Sequence, residues 1–165
     1  MILPAGDFSV HDEAVMKPYL EKLGTGTYLE IGVKHGRSLA FARHNAPKAK
    51  IYGVDVEDVL DHEYFKDIDV NFIHQHADEA AKKWKKPIDL LFIDGDHSVE
   101  QVNHDIENWQ QFVKKGGYLF FHDFDITSPG VIMAVDDYCE YRGKILKVFR
   151  HSTLGLKTSI VMVKK

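Results

Sequence analysis

A chain of 165 residues, 44% hydrophobic and 28% charged, is most economically one domain, residues 1–165, with an ordinary core. Its formal charge of −4 argues against the broad basic field that recruits nucleic acid. Cys139 is the single cysteine, which excludes an internal disulfide or a thiolate metal cluster and points to the reducing cytoplasm. No apolar run approaches the ~18 residues of a membrane span, and no signal-peptide pattern opens the chain.

In chain order, Ser9 and Asp12 have the form of a helix cap, and Pro18 is expected to break or kink the helix that follows. Tyr28–Ile31 reads as the first strand and runs through glycines into a short helix carrying Leu39, Phe41 and Ala42. Ile51–Val54 is the second strand, closed by Asp55, and Asn71–Ile73 the third. Lys82, Lys83, Lys85 and Lys86 around Trp84 read as a solvated helix end before Pro87. Leu90–Ile93 is the fourth strand. Ser98 with Gln101 predicts a capping box, Val102, Ile106, Trp109 and Val113 share a helical face, and Gly116–Gly117 should stop that helix. Tyr118–Phe121 is the fifth strand, and Ser128–Pro129 has the form of a cap with a first-turn proline, ahead of Ile132, Val135 and Cys139. Helix-length spacing between the first five strands argues for a parallel α/β sheet. Ile145–Phe149 and Ser159–Val163 are joined by a loop with Gly155, too short for a helical crossover, and predict an antiparallel hairpin.

The turn after the first strand is Glu30-Ile31-Gly32-Val33-Lys34-His35-Gly36-Arg37-Ser38. Strand, glycine turn and helix together form a nucleotide-cofactor arrangement. The spacing is G-x-x-x-G rather than the G-x-G-x-x-G of a dinucleotide loop. A carboxylate at Glu30 would repel a pyrophosphate and suits the amino group of a methionine moiety. Asp55, 25 positions after Glu30, can accept both hydroxyls of a ribose. A tight turn and a surface aspartate explain either element alone, but not both in this order and spacing.

These residues, with His76-Ala77-Asp78 and Phe92-Ile93-Asp94-Gly95-Asp96-His97-Ser98, resemble class I S-adenosylmethionine-dependent methyltransferases. The likeness is to the small-molecule O-methyltransferases, among them the catechol, caffeoyl-CoA and macrolide-sugar enzymes. It extends to a bacterial group with the same Phe92–Ser98 pattern followed by Lys115-Gly116-Gly117-Tyr118 and Phe121-His122-Asp123. The resemblance implies a Rossmann-like, seven-stranded, mostly parallel sheet with an antiparallel C-terminal strand and helices on both faces. It implies S-adenosylmethionine as cofactor, held by Glu30, Gly32, Gly36, Ser38, Asp55, Ala77, Asp78 and Asp94. Lys34 stands where the wider class has a middle glycine, a departure shared by the metal-dependent O-methyltransferases.

Asp94 and Asp123 end neighbouring strands, where a parallel sheet binds its ligands. The metal-dependent relatives carry an aspartate at each place, so Asp94, His122 and Asp123 are the expected metal ligands. Two carboxylates suit Mg²⁺, and a histidine among them shifts preference toward Mn²⁺, Fe²⁺ or Zn²⁺. Phe124 cannot ligate. His97, three residues after Asp94, occupies the offset of a lysine base in the catechol-type relatives. Imidazole is well placed to take a proton from a hydroxyl, so His97 and Asp94 are the expected catalytic pair. The bland readings are a loop histidine ordering the turn and carboxylates capping backbone. The expected partner is a small-molecule acceptor, with no nucleic acid and no membrane, and with room for a homodimer. A non-catalytic S-adenosylmethionine binder and an NAD-dependent oxidoreductase are the competing classes.

Overall fold

Helix α1 (Val10–Leu20) begins where Ser9 caps it. Ser9 Oγ accepts from the His11 and Asp12 amides, and the Asp12 carboxylate accepts from the Ser9 amide at 2.7 Å. The box satisfies amides that a helix start otherwise leaves open. Pro18 does not break this helix. It lies in the last turn, so only its own missing N–H bond is lost before the helix ends at Leu20.

The chain continues through β1 (Thr27–Ile31), α2 (Arg37–Asn45), β2 (Lys50–Asp55), α3 (His62–Phe65), β3 (Asn71–His74), α4 (Ala77–Lys83) and β4 (Ile88–Ile93). Then come α5 (Val99–Trp109), β5 (Val113–Phe121), α6 (Pro129–Tyr141), β6 (Lys144–Arg150) and β7 (Ser159–Lys164). The computed structural model describes residues 3–58, 60–141, 144–150 and 159–165, with 144–150 and 159 as backbone. The expected hairpin loop with Gly155 lies outside the described residues.

The sheet order is β3-β2-β1-β4-β5-β7-β6. The pairings from β3 to β5 are parallel, and β7 is antiparallel to both β5 and β6. Six strands therefore point one way and β7 the other, giving the mostly parallel sheet with an antiparallel C-terminal strand read from the sequence. Both faces are covered, which is why the strands read as nearly continuous apolar runs. Leu29, Val54, Leu91, Leu119 and Val161 pack toward α4, α5 and α6. Tyr28, Ile51, Phe92, Phe120 and Met162 pack toward α1, α2 and α3. Strand order reverses between β1 and β4, so a crevice opens beyond their carboxyl ends.

Three local expectations change. The Ser98 hydroxyl accepts from the Gln101 amide, but the Gln101 side chain turns to Asp105 at 3.0 Å, so only half the box forms. Helix α5 stops at Trp109 in a 3-10 turn, Gln110–Phe112, well before the glycines. Gly116 instead lies within β5 at a positive φ of 82°, close to a register shift against β4. The lysine cluster is not only solvated: Trp84 is buried, and Lys86 Nζ reaches the Tyr52 hydroxyl at 2.7 Å over the Tyr52 ring. Among the described residues no helix is long and apolar enough to cross a membrane.

Candidate active site

A cavity of about 890 Å³ lies at the crevice. Its floor is the turn after β1. The Gly32 amide donates to the Val54 carbonyl at 3.0 Å, and the Asp94 amide to the Ile31 carbonyl at 2.8 Å, so β1, β2 and β4 are tied at one level. Lys34 adopts φ 51°, a left-handed conformation that a glycine would enter without penalty. Asp55 holds that turn: one carboxylate oxygen accepts from the Val33 and Lys34 amides at 2.7 and 2.8 Å, the other from Glu57 at 2.9 Å. The carboxylate read as a ribose partner thus also shapes the loop.

Gly32, Ser38, Asp55, Ala77, Asp94, His97, His122 and Asp123 all line the cavity. Glu30, Gly36 and Asp78 do not line it. Gly36 caps α2 at φ 89°, and a side chain there would meet Phe65 at 2.5 Å and Leu60 at 2.6 Å. It makes room for Leu60 and Phe65. Asp78 accepts from Asn108 at 2.9 Å and sits beside His76 and His104, joining α4 to α5.

Glu30 is fully buried on the α2 side of β1, where the Tyr28 and Ser38 hydroxyls donate to its two oxygens at 2.6 and 2.5 Å. Burial raises its carboxyl from 4.5 to about 8, against the lowering effect of the two hydroxyls. Folded Glu30 therefore keeps its proton where the unfolded chain has lost it, and stability declines as pH rises from the unfolded value through about 8. Glu30→Gln, a neutral amide of the same shape that a rotated hydroxyl can still satisfy, removes that slope. Thermal melts should show the variant more stable than wild type near about pH 9 and equal to it near about pH 5.

His122 is the centre of the opposite wall. It continues the alternation of β5, so its ring falls on the Phe120 side, with Phe8 and Phe92 6.4 and 6.0 Å away. Its Nδ1 lies 3.1 Å from Asp94 and 3.2 Å from Asp123, and its Nε2 3.4 Å from Asp12. These are ion-pair contacts without aligned hydrogen bonds. Burial works against the charge, but Asp94, Asp12 and Asp123 outweigh it and hold the imidazole well above its ordinary range. Burial likewise raises the Asp94 carboxyl, opposed by His122.

Ligand atoms of Asp94, His97 and Asp123 lie within 4.8 Å of one another. His97 completes this group, while His122, the histidine expected from the sequence, touches the same two carboxylates through Nδ1 and Asp12 through Nε2. His97 Nε2 is 3.1 Å from an Asp123 oxygen, and its side chain is 46% exposed. Asp123 holds a positive φ of 53°, which turns the chain sharply after β5.

One wall segment, and one buried carboxylate that contacts the lining His122, were not read from the sequence as parts of the site. Residues Ala5 to Ser9 line the cavity, held by Arg37 Nε donating to the Phe8 carbonyl at 2.6 Å and by Lys34 paired with Asp7 at 2.8 Å. Asp12 was read only as a cap. Its other role is foreshadowed by spacing, since Asp12, Met16 and Leu20 fall on one buried helical face.

A family described as a methyltransferase domain matches residues 29–124. The chain belongs to that family, and so to the class I S-adenosylmethionine-dependent methyltransferases of the O-methyltransferase type. Uncharacterized protein R132 of Acanthamoeba polyphaga mimivirus is 29% identical, over 77% of this chain and 69% of its own. Many solved structures share the fold. The O-methyltransferase from Bacillus cereus in complex with SAH has a TM-score of 0.78 at 16% identity, covering 99% of this chain and 84% of its own. Cofactor-bound Rv0187 from MTB has a TM-score of 0.81 at 16% identity, covering 98% and 83%.

Proposed function

We propose that the protein transfers the methyl group of S-adenosylmethionine to a hydroxyl of a small molecule, with His97 as proton acceptor. The observation that carries this is the pairing of His97 with Asp123 in the same cavity as the Gly32 turn. Gly32, Ser38, Asp55, Ala77 and Asp94 hold the donor directly. Glu30 acts through Ser38, and Gly36 through the packing of α3. The net charge of −4 favours a small acceptor over a nucleic acid.

The sulfonium methyl is already electrophilic, so alignment of the acceptor oxygen with the S–CH₃ bond supplies much of the rate. His97 then takes the hydroxyl proton through Nδ1, while Asp123 fixes the ring through Nε2 and stabilises the imidazolium that forms. His122, itself paired with Asp94, holds Asp123 from the inner side.

The convergence of Asp94, His97 and Asp123 favours a second reading of the same site. Two carboxylates and an imidazole fit a divalent cation, Mn²⁺ more readily than Mg²⁺. When bound, the cation would lower the pKa of the acceptor hydroxyl and orient it. Labelled S-adenosylmethionine assayed against phenols, catechols and sugars, with and without a chelator, separates the two. Transfer to hydroxyls that survives the chelator supports His97 as base. Transfer lost to the chelator and restored by Mn²⁺ makes His97 a ligand. Transfer to amines alone overturns the hydroxyl reading.

A further inference from the structure

Among the described residues, Lys34 and Arg37 are the lysine and arginine side chains that line the cavity. Arg37 is engaged: its guanidinium pairs with Glu13 at 2.9 Å and donates to the Phe8 carbonyl at 2.6 Å. Lys34 pairs with Asp7 at 2.8 Å, and both side chains are largely exposed. Asp7 raises the Lys34 ammonium above its ordinary range, and Asp94 and Asp123 add to the effect. Lys34 in turn lowers the Asp7 carboxyl, which also feels Asp123 and His122. The pair therefore stands in the field of the residues around His97. The rest of the lining is anionic. Seven carboxylates line the cavity, against Lys34, Arg37 and a His122 that is itself enclosed by Asp12, Asp94 and Asp123. Asp96, next to His97, accepts from the Ser98 amide at 2.6 Å. The Ser98 hydroxyl and amide hold its carboxyl below the usual carboxylate range, so it is ionised at neutral pH.

We propose that Asp7 sets the charge class of the acceptor. By occupying Lys34 it leaves no open lysine or arginine among the described residues of the cavity. Acceptors with a carboxylate or phosphate beside the reacting hydroxyl are turned away, and neutral or amine-bearing ones are admitted. The inference rests on the hydroxyl reading above and adds to it the charge of the molecule that carries the hydroxyl. An anion that enters past Asp7, Asp96 and Asp123 meets like charge, and it gains a cation only by parting Lys34 from Asp7. Exposed pairs are individually weak, so the preference is graded, about two- to fivefold for one such pair. Lys34 stands where the wider class has a glycine. This chain thus adds a cation to the donor loop and cancels it from the segment before α1.

The test is the rate of transfer from labelled S-adenosylmethionine to two matched sets of acceptors, with the methylated atom located by mass spectrometry. One set is dopamine, ethylcatechol and dihydrocaffeate; the other is glucosamine, glucose and glucuronate. In wild type, kcat/KM for the anionic member should lie below that of the neutral one by about two- to fivefold or more, and the cationic member should match or exceed the neutral one. Asp7→Asn frees the Lys34 ammonium and should raise the anionic-to-neutral ratio about two- to fivefold. Lys34→Met leaves Asp7 bare and should lower it. Both side chains are largely exposed, so both variants should fold. The opposite signs separate a charge effect from a loosening of the segment before α1, which would move all acceptors alike, and high salt should shrink both shifts. A wild type that does not disfavour the anionic members, or an unchanged ratio in Asp7→Asn, overturns this proposal and leaves the hydroxyl reading standing. Transfer to none of the acceptors, or to nitrogen alone, overturns the hydroxyl reading and this inference with it.

Discussion

His97→Ala is expected to lower kcat by about 10²–10⁴-fold, the span associated with loss of a general acid–base group, while S-adenosylhomocysteine binds as before. The side chain is 46% exposed, and among the described residues its ion-pair partner is Asp123, so the fold loses little when it is cut back. Asp123 retains its contact with His122 on the inner side. The donor-facing groups Gly32, Ser38 and Asp55 belong to other turns. The loss should therefore appear in turnover and not in donor affinity. A purely ordering role for His97 in the Asp94–Asp96 turn predicts the reverse, a weakened donor with turnover at saturation within a few-fold of wild type. Single-turnover rates and calorimetry on the same preparation separate these outcomes.

Gly32→Ala should remove on the order of 5 kcal/mol of stability or more, enough to leave most chains of a marginally stable domain unfolded. Two independent effects add at this residue. Its φ is 81°, where a Cβ is strained whatever space surrounds it. A Cβ would also stand 2.2 Å from the Asp94 carbonyl oxygen and 2.7 Å from Gly95 Cα. Those neighbours are backbone and cannot swing aside as a flexible side chain can. Relief would require β1 and β4 to part at the level where the Asp94 amide bonds to Ile31. Urea unfolding of the purified variant measures the effect, and a midpoint close to wild type would mean that the turn has another way to close.

The donor half of the site was legible because its logic is local. A strand, two glycines four positions apart and an acid at the end of the next strand are set by neighbours in sequence. Even so, residue type and contact diverged at Glu30 and Gly36. Both belong to the motif, yet one is sealed under Ser38 and the other makes space for Phe65. A pattern records which positions are constrained without telling whether ligand or packing imposes the constraint. The acceptor half was less legible because it is assembled across the sheet. The contacts of His122 follow from strand alternation, which places it with Phe120, and from a buried carboxylate on α1, Asp12, that the sequence offered only as a helix cap. Likewise the end of α5 at Trp109 depends on β5 starting at Val113 to pair with Ile88, a tertiary demand that overrides the glycine stop signal.

The pairing of Asp12 with His122 also bears on how the molecule is made. The two lie at positions 12 and 122, so the ribosome delivers the helix long before the strand that carries its counter-charge. A carboxylate is poorly buried alone, and while β5 is missing Asp12 is better off in water than against the growing sheet. Docking of α1 thus waits for the second half of the chain. The Gly32 turn needs only β1, β2 and β4, all synthesised earlier. The His122 side of the cavity is, by this ordering, among the last parts of the nascent protein to be built.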